Sequence, residues 1–135
     1  MGTISLSGIL VAGPSSGGDV FPGSSFQVPL SFGDGSKQFG VATGILTQQI
    51  ASPSAFHGLA GVGAGGVVTQ GAFLYFKTRA SMLLRLTVDD GAGGVETSVV
   101  PVQGIFVLEF STSRPLELLE VQGSGPVEYF VSGAS

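Results

Sequence analysis

The sequence predicts an all-β fold: a single-domain, jelly-roll-like β-sandwich of about eight to nine strands. Three observations predict it. Apolar and polar residues alternate with the two-residue period of a strand, most cleanly at Phe26, Val28, Leu30 and Phe32 with Gln27, Pro29 and Ser31 between them. Glycine-rich turns separate such runs at roughly 8–12-residue intervals. No stretch carries a sustained helical period.

Each element can be justified in order. Residues 3–11 read as a first strand or extended arm. Residues 13–23 are turn material, where Pro14 and Pro22 pre-set φ and the glycines permit φ > 0. Residues 26–32 form the clean strand, closed by Gly33-Asp34-Gly35-Ser36. Residues 38–50 are rich in Val, Thr and Ile, with Gly40 and Gly44 as expected bulges or bends. Residues 52–66 are dense in Gly and Ala and are expected to form a long loop.

The β pattern resumes at 67–69 and continues through 72–78, which is apolar on both faces. Residues 81–88 alternate well, with Met82, Leu84, Leu86 and Val88 on one face and Leu83, Arg85 and Thr87 on the other. Asp89-Asp90-Gly91-Ala92-Gly93-Gly94 is expected to close a hairpin onto 95–102. Gly104 then separates a run at 105–110, and 111–115 turns the chain into 116–121. Gly123-Ser124-Gly125 is expected to close a final hairpin onto 127–131. The spacing predicts an N-terminal arm and turn-rich segment at 1–22 and a sandwich domain at 23–135. An immunoglobulin-like sandwich or a small barrel fits the spacing as well, although paired Cys and a core Trp are absent. No 20–50-residue repeat marks a solenoid or propeller.

Composition narrows the function classes. The 135 residues are 43% hydrophobic, which argues against disorder, and 10% charged, far below the roughly 25% of an average domain. So few charges point to a surface wetted by Ser, Thr and Gln and partly covered by partners. The net charge is −4, and the five basic residues (Lys37, Lys77, Arg79, Arg85 and Arg114) are scattered, so no nucleic-acid partner is expected. Without Cys there is no disulfide, thiolate metal site or Cys nucleophile. No apolar stretch approaches the ~20 residues of a membrane helix, so no membrane partner is expected. The first basic residue is Lys37, which argues against a signal peptide, and Leu6 departs from the myristoylation pattern at Gly2.

Candidate chemistry is sparse. Gly61-Val62-Gly63-Ala64-Gly65-Gly66 matches G-x-G-x-x-G, but the β-type Val67-Val68-Thr69 follows where a phosphate-binding helix is required. His57 is the only histidine, and no nucleophile elbow accompanies it. Asp89, Asp90 and Glu96 flank one glycine-rich turn and offer hard-cation oxygens, though such residues are also ordinary hairpin-tip residues. Glu117, Glu120 and Glu128 are candidates for paired carboxylates, with Glu117 and Glu128 expected on neighbouring strands. Arg85, in mid-strand, is expected to pair internally, with Glu109 as one candidate partner, or across subunits. None of these groups is assigned as a catalytic, cofactor or metal site, and no cofactor is expected.

Three runs resemble small virion structural proteins of tailed bacteriophages: Val68-Thr69-Gln70-Gly71-Ala72-Phe73-Leu74-Tyr75, Leu86-Thr87-Val88-Asp89-Asp90-Gly91, and Leu118-Leu119-Glu120-Val121-Gln122-Gly123-Ser124-Gly125-Pro126-Val127-Glu128-Tyr129-Phe130. Residues 13–66 carry no comparable match. The resemblance implies a head decoration or cement protein that performs no catalysis. It would be made in the host cytoplasm and bound to the major capsid protein on the virion surface, as a homo-oligomer (dimer or trimer). Residues 3–21 and 52–66 are the expected contact regions. The other class that suits the fold is a tail or fibre module binding a receptor or glycan.

Overall fold

The structure is a computed structural model and describes residues 2–12, 26–32 and 36–135. It is all-β, with nine strands and no helix among the described residues. The chain divides into two compact units, Gly2–Gln38 and Phe39–Ser135. The boundary expected after residue 22 and the whole turn segment at 13–23 lie outside the described residues.

In the smaller unit, β2 (Gly8–Ala12) pairs antiparallel with β3 (Phe26–Leu30), placing Leu10 opposite Val28. The expected first strand divides in two, because β1 (Gly2–Ser5) ends before β2 and pairs instead with β4 (Ser36–Phe39). Phe32 is buried, and the Lys37 ammonium lies 5.7 Å from the centroid of its ring, within cation–π reach.

The larger unit is one curled antiparallel sheet. Its order is β5 (Val41–Ala42), β9 (Leu116–Ala134), β7 (Gln70–Asp89) and β8 (Val95–Glu109), with β6 (Leu46–Gly58) also pairing with β9. Three of the expected strand breaks are not breaks. Residues 72–78 and 81–88 belong to the single strand β7, and 95–102 and 105–109 to β8. The hairpin expected at Gly123-Ser124-Gly125 does not form, since β9 runs straight through it. Residues 38–50, expected to be continuous, are divided among β4, β5 and β6.

What looked like strand ends are the fold line of the sheet. Register shifts fall between Thr78 and Met82 of β7 and between Ser52 and His57 of β6. On the flanking strands the same level carries Gly104 (φ 91°), Gly123 (φ 153°) and Gly125 (φ 136°). Thr78 pairs with both Gly104 and Val127, and Ser52 pairs with Gly123, so the irregularities line up across four strands. Bulges raise local twist and bend the strand. Aligned in this way, they fold the sheet back on itself in a sandwich-like manner. The approach is close at Gly123, where a Cβ would lie 2.7 Å from the Met82 Cγ.

Folding brings the inner faces of the two halves into one core. Leu74, Phe76, Val127, Tyr129 and Val131 from one side of the fold line join Met82, Leu84, Leu86, Leu119 and Val121 from the other. Met82, Leu84 and Leu86 are the alternate residues of one strand face, as the sequence pattern requires. The region expected as a free loop is largely structural. β6 occupies it up to Gly58, and Leu59, Val62 and Val68 are buried in the same core. The Leu59 N–H donates to the Leu119 carbonyl at 3.0 Å, and a parallel bridge joins Val62 to Val68.

Candidate functional site

The outer face of the curled sheet carries most of the larger unit's polar chemistry. Beyond the fold line, Arg85 of β7 faces Glu120 of β9 in register. Its Nε donates to Glu120 Oε1 at 2.8 Å and its Nη2 to Oε2 at 2.6 Å. This two-pronged geometry matches a planar guanidinium to a carboxylate. The guanidinium also lies over the Phe56 ring, 4.1 Å from its centroid, because the irregular segment of β6 brings Phe56 there. The hydrogen bonds to Glu120 raise the Arg85 pKa above its ordinary value. The internal pairing expected for Arg85 is therefore found, with Glu120 and not Glu109 as its partner.

Glu117, Glu120 and Glu128 all lie on β9. Glu117 and Glu128 do not face each other across a hairpin, because no hairpin exists there. Glu128 accepts a hydrogen bond from the Tyr75 hydroxyl at 2.8 Å. Burial, followed by this contact with Glu128, raises the Tyr75 pKa. Glu120 and Glu128 are thus each held by a neighbour on β7, and they do not form an opposed pair for general acid–base work.

His57 is the tip of a polar chain. Its Nε2 lies 3.0 Å from Gln48 Nε2, and Gln48 Oε1 is 3.5 Å from the Tyr129 hydroxyl. That hydroxyl donates to the Ala60 carbonyl at 2.8 Å, and burial raises the Tyr129 pKa. The network gives the buried Tyr129 hydroxyl a partner and ties the loop after β6 to the core. Among the described residues no Ser hydroxyl or carboxylate contacts the His57 ring.

The hairpin expected at residues 89–94 is present and joins β7 to β8. Asp89 Oδ1 accepts the Gly91 N–H at 2.6 Å, and Asp90 Oδ1 accepts those of Ala92 at 2.8 Å and Gly94 at 3.0 Å. The Ala92 and Gly94 donors hold the Asp90 carboxyl below its usual pKa. Glu96 is paired with Arg114 at 2.6 Å. These carboxylates do the work of a turn, and no three His, Cys, Asp or Glu side chains converge among the described residues. The Gly61–Gly66 run closes on itself through Val68 N–H to Gly61 O at 3.0 Å and Gly66 N–H to Gly63 O at 2.9 Å. No helix follows it, so it lacks the geometry of a dinucleotide site.

A shallow groove of about 200 Å³ lies at the fold line, lined by Thr47, Lys77, Arg79 and Glu128 among others. Among the described residues Lys77 and Arg79 make no ion pair. The remaining outer feature is apolar. Val95 (58% exposed), Val99 (49%), Ile105 (70%) and Val107 (39%) of β8, with Leu83 (37%) of β7, are open to solvent. Sequence reasoning placed Leu83 with Arg85 and Thr87 on the face opposite Met82 and Leu84 but did not single out β8. The signal was there: no charged residue occurs between Glu96 and Glu109. No family model matches the chain, and neither curated proteins nor solved structures give a match to it.

Proposed function

We propose that the chain is a structural virion protein: a decoration or cement protein that binds the major capsid protein on a bacteriophage head and bridges its subunits. The observation that supports this reading best is the apolar outer strip of β8 and Leu83. Exposed apolar surface is a liability for a free protein and an asset for one that spends its life covered. The site chemistry agrees with a passive role. The carboxylates Asp89, Asp90, Glu96, Glu120 and Glu128 are each satisfied by a partner within the chain.

The mechanism is linkage. A protein that binds only the assembled shell stabilises that shell by mass action. A curled sheet with one continuous core resists deformation and presents its outer strip at fixed geometry. The test is removal. Particles lacking the chain should lose resistance to heat or salt and regain it when the purified protein is added back. Unchanged particles overturn the reading. Copy numbers matching the small complement of a tail, not that of the capsid subunits, favour the receptor-binding module instead.

A further inference from the structure

We propose that the groove at the fold line accepts an acidic peptide segment: one carboxylate of a partner protein seats between Lys77 and Arg79, and an apolar neighbour rests on Pro126. The proposal rests on the reading of the chain as a protein that works by docking, and it names the chemistry of one contact.

Five residues of the chain are basic, and three are engaged locally. Arg85 holds Glu120, Arg114 holds Glu96, and the Lys37 ammonium lies over the Phe32 ring. Lys77 and Arg79 are the other two. They stand two residues apart on β7, both exposed, and among the described residues neither side chain has an ion pair or a hydrogen bond. The sheet explains their place. Lys77 faces outward because its neighbours Phe76 and Thr78 are buried, and side chains alternate along a strand. Thr47 of β6, Glu128 of β9 and Lys77 are successive register partners, so they form a row across three strands of the outer face. Arg79 follows at the register shift of β7, where the Gln103 amide donates to its carbonyl at 3.1 Å and fixes the backbone. Every residue lining the groove belongs to the larger unit.

Charge selects the occupant. The groove sets two cations against one carboxylate, Glu128, which already accepts the Tyr75 hydroxyl at 2.8 Å. The surplus matches a single carboxylate. A phosphate dianion or a phosphodiester chain would stay under-neutralised there, on a chain of net charge −4. The Arg79 guanidinium offers the planar fork that gives a carboxylate two donors, and Lys77 adds a point charge. Size and lining favour a peptide. At about 200 Å³ the groove is smaller than the ~300 Å³ of ordinary small-molecule pockets, which suits one or two side chains. Its walls include Pro126 and the aliphatic stems of Lys77 and Arg79, against which an apolar side chain packs.

Titration of the full chain with the end-blocked peptide Leu-Glu-Leu, followed through backbone amide shifts by NMR, tests this. Amides at 77–79 and 126–128 should shift in a saturable manner that added salt weakens. End-blocked Leu-Gln-Leu should bind about tenfold more weakly or less. Arg79→Gln should weaken Leu-Glu-Leu binding by about the same factor, whereas Arg114→Gln, which alters the net charge equally, should leave it intact. Circular dichroism confirms that both variants are folded. The absence of saturable shifts at these amides overturns the proposal, as does equal binding of the two peptides. Inorganic phosphate that saturates the same amides at lower concentration than Leu-Glu-Leu overturns the choice of a carboxylate. Particles separate this proposal from the decoration reading. An Arg79→Gln chain that binds and stabilises them as the native chain does overturns the groove contact and leaves decoration standing. Groove binding of Leu-Glu-Leu by a chain that never associates with particles supports the groove and overturns decoration.

Discussion

Leu83 and Leu84 are neighbours on β7 and point to opposite faces of the curled sheet. Leu84 is fully buried in the core, whereas Leu83 is 37% exposed on the outer face. Truncating Leu84 to Ala removes roughly three methylene equivalents, about 2.4 kcal/mol of transfer free energy at ~0.8 kcal/mol each. The cavity left between the two halves adds to this, for a total of about 3–4 kcal/mol. Truncating Leu83 removes the same atoms from a site already partly wet and leaves no enclosed void, so it costs about 1 kcal/mol. At ~4 °C per kcal/mol for a chain of this size, Leu84→Ala should lower Tm by about 12–16 °C and Leu83→Ala by about 4 °C. Thermal unfolding followed by circular dichroism reads both. Equal losses, or a larger loss for Leu83→Ala, would refute the register and with it the assignment of inner and outer faces, because a one-residue slip exchanges them.

Further outcomes follow from the same structure. Both tyrosines have raised pKa values relative to 10.0, Tyr75 and Tyr129 alike through burial first. A raised acid stabilises the fold below its unfolded pKa and loses that contribution as pH climbs through the folded value. Stability should therefore fall above about pH 10, and tyrosinate absorbance should show both groups titrating later in the folded protein than in denaturant. Asp90 has the opposite sign: its lowered pKa stabilises the fold above the unfolded 3.8 and is lost as pH falls through the folded value, so Asp90→Asn should flatten the acid limb of a Tm-versus-pH curve. Gly133→Ala should destabilise by about 1–3 kcal/mol in denaturant titration, because its Cβ would run into the Gln70 carbonyl and lie 2.9 Å from the Ala72 nitrogen, where the backbone cannot move aside cheaply.

Local pattern made some of this legible in the sequence, and non-local register hid the rest. The alternation of Met82, Leu84 and Leu86 marks a core face because period two is a property of one strand. The hairpin at Asp89–Gly94 is readable because Asp and Gly serve the turn through their own backbone neighbours. Gly104 and Gly123-Ser124-Gly125 read as strand ends and are not. A glycine that stops a strand and one that bends it look alike until the neighbouring strands show bulges at the same level. Arg85 is the same lesson in side-chain form. Its partner is chosen by the pairing of β7 with β9, which sets it opposite Glu120, 35 residues away. The segment 52–66 reads as a long loop because its glycine and alanine content conceals how deeply its own Leu59 and Val62, and Val68 just beyond it, are buried.

The chain has no native cysteine, so a single introduced thiol reports on one position alone. Maleimide labelling of Ile105→Cys, compared with Thr112→Cys on the exposed turn between β8 and β9, in dilute protein and in the assembled particle tests most directly whether the outer strip is contact surface. Both thiols should react freely in dilute solution, and only the one at position 105 should be shielded in the particle. Equal reactivity of the two in the particle would mean that the strip stays bare, and would contradict the account.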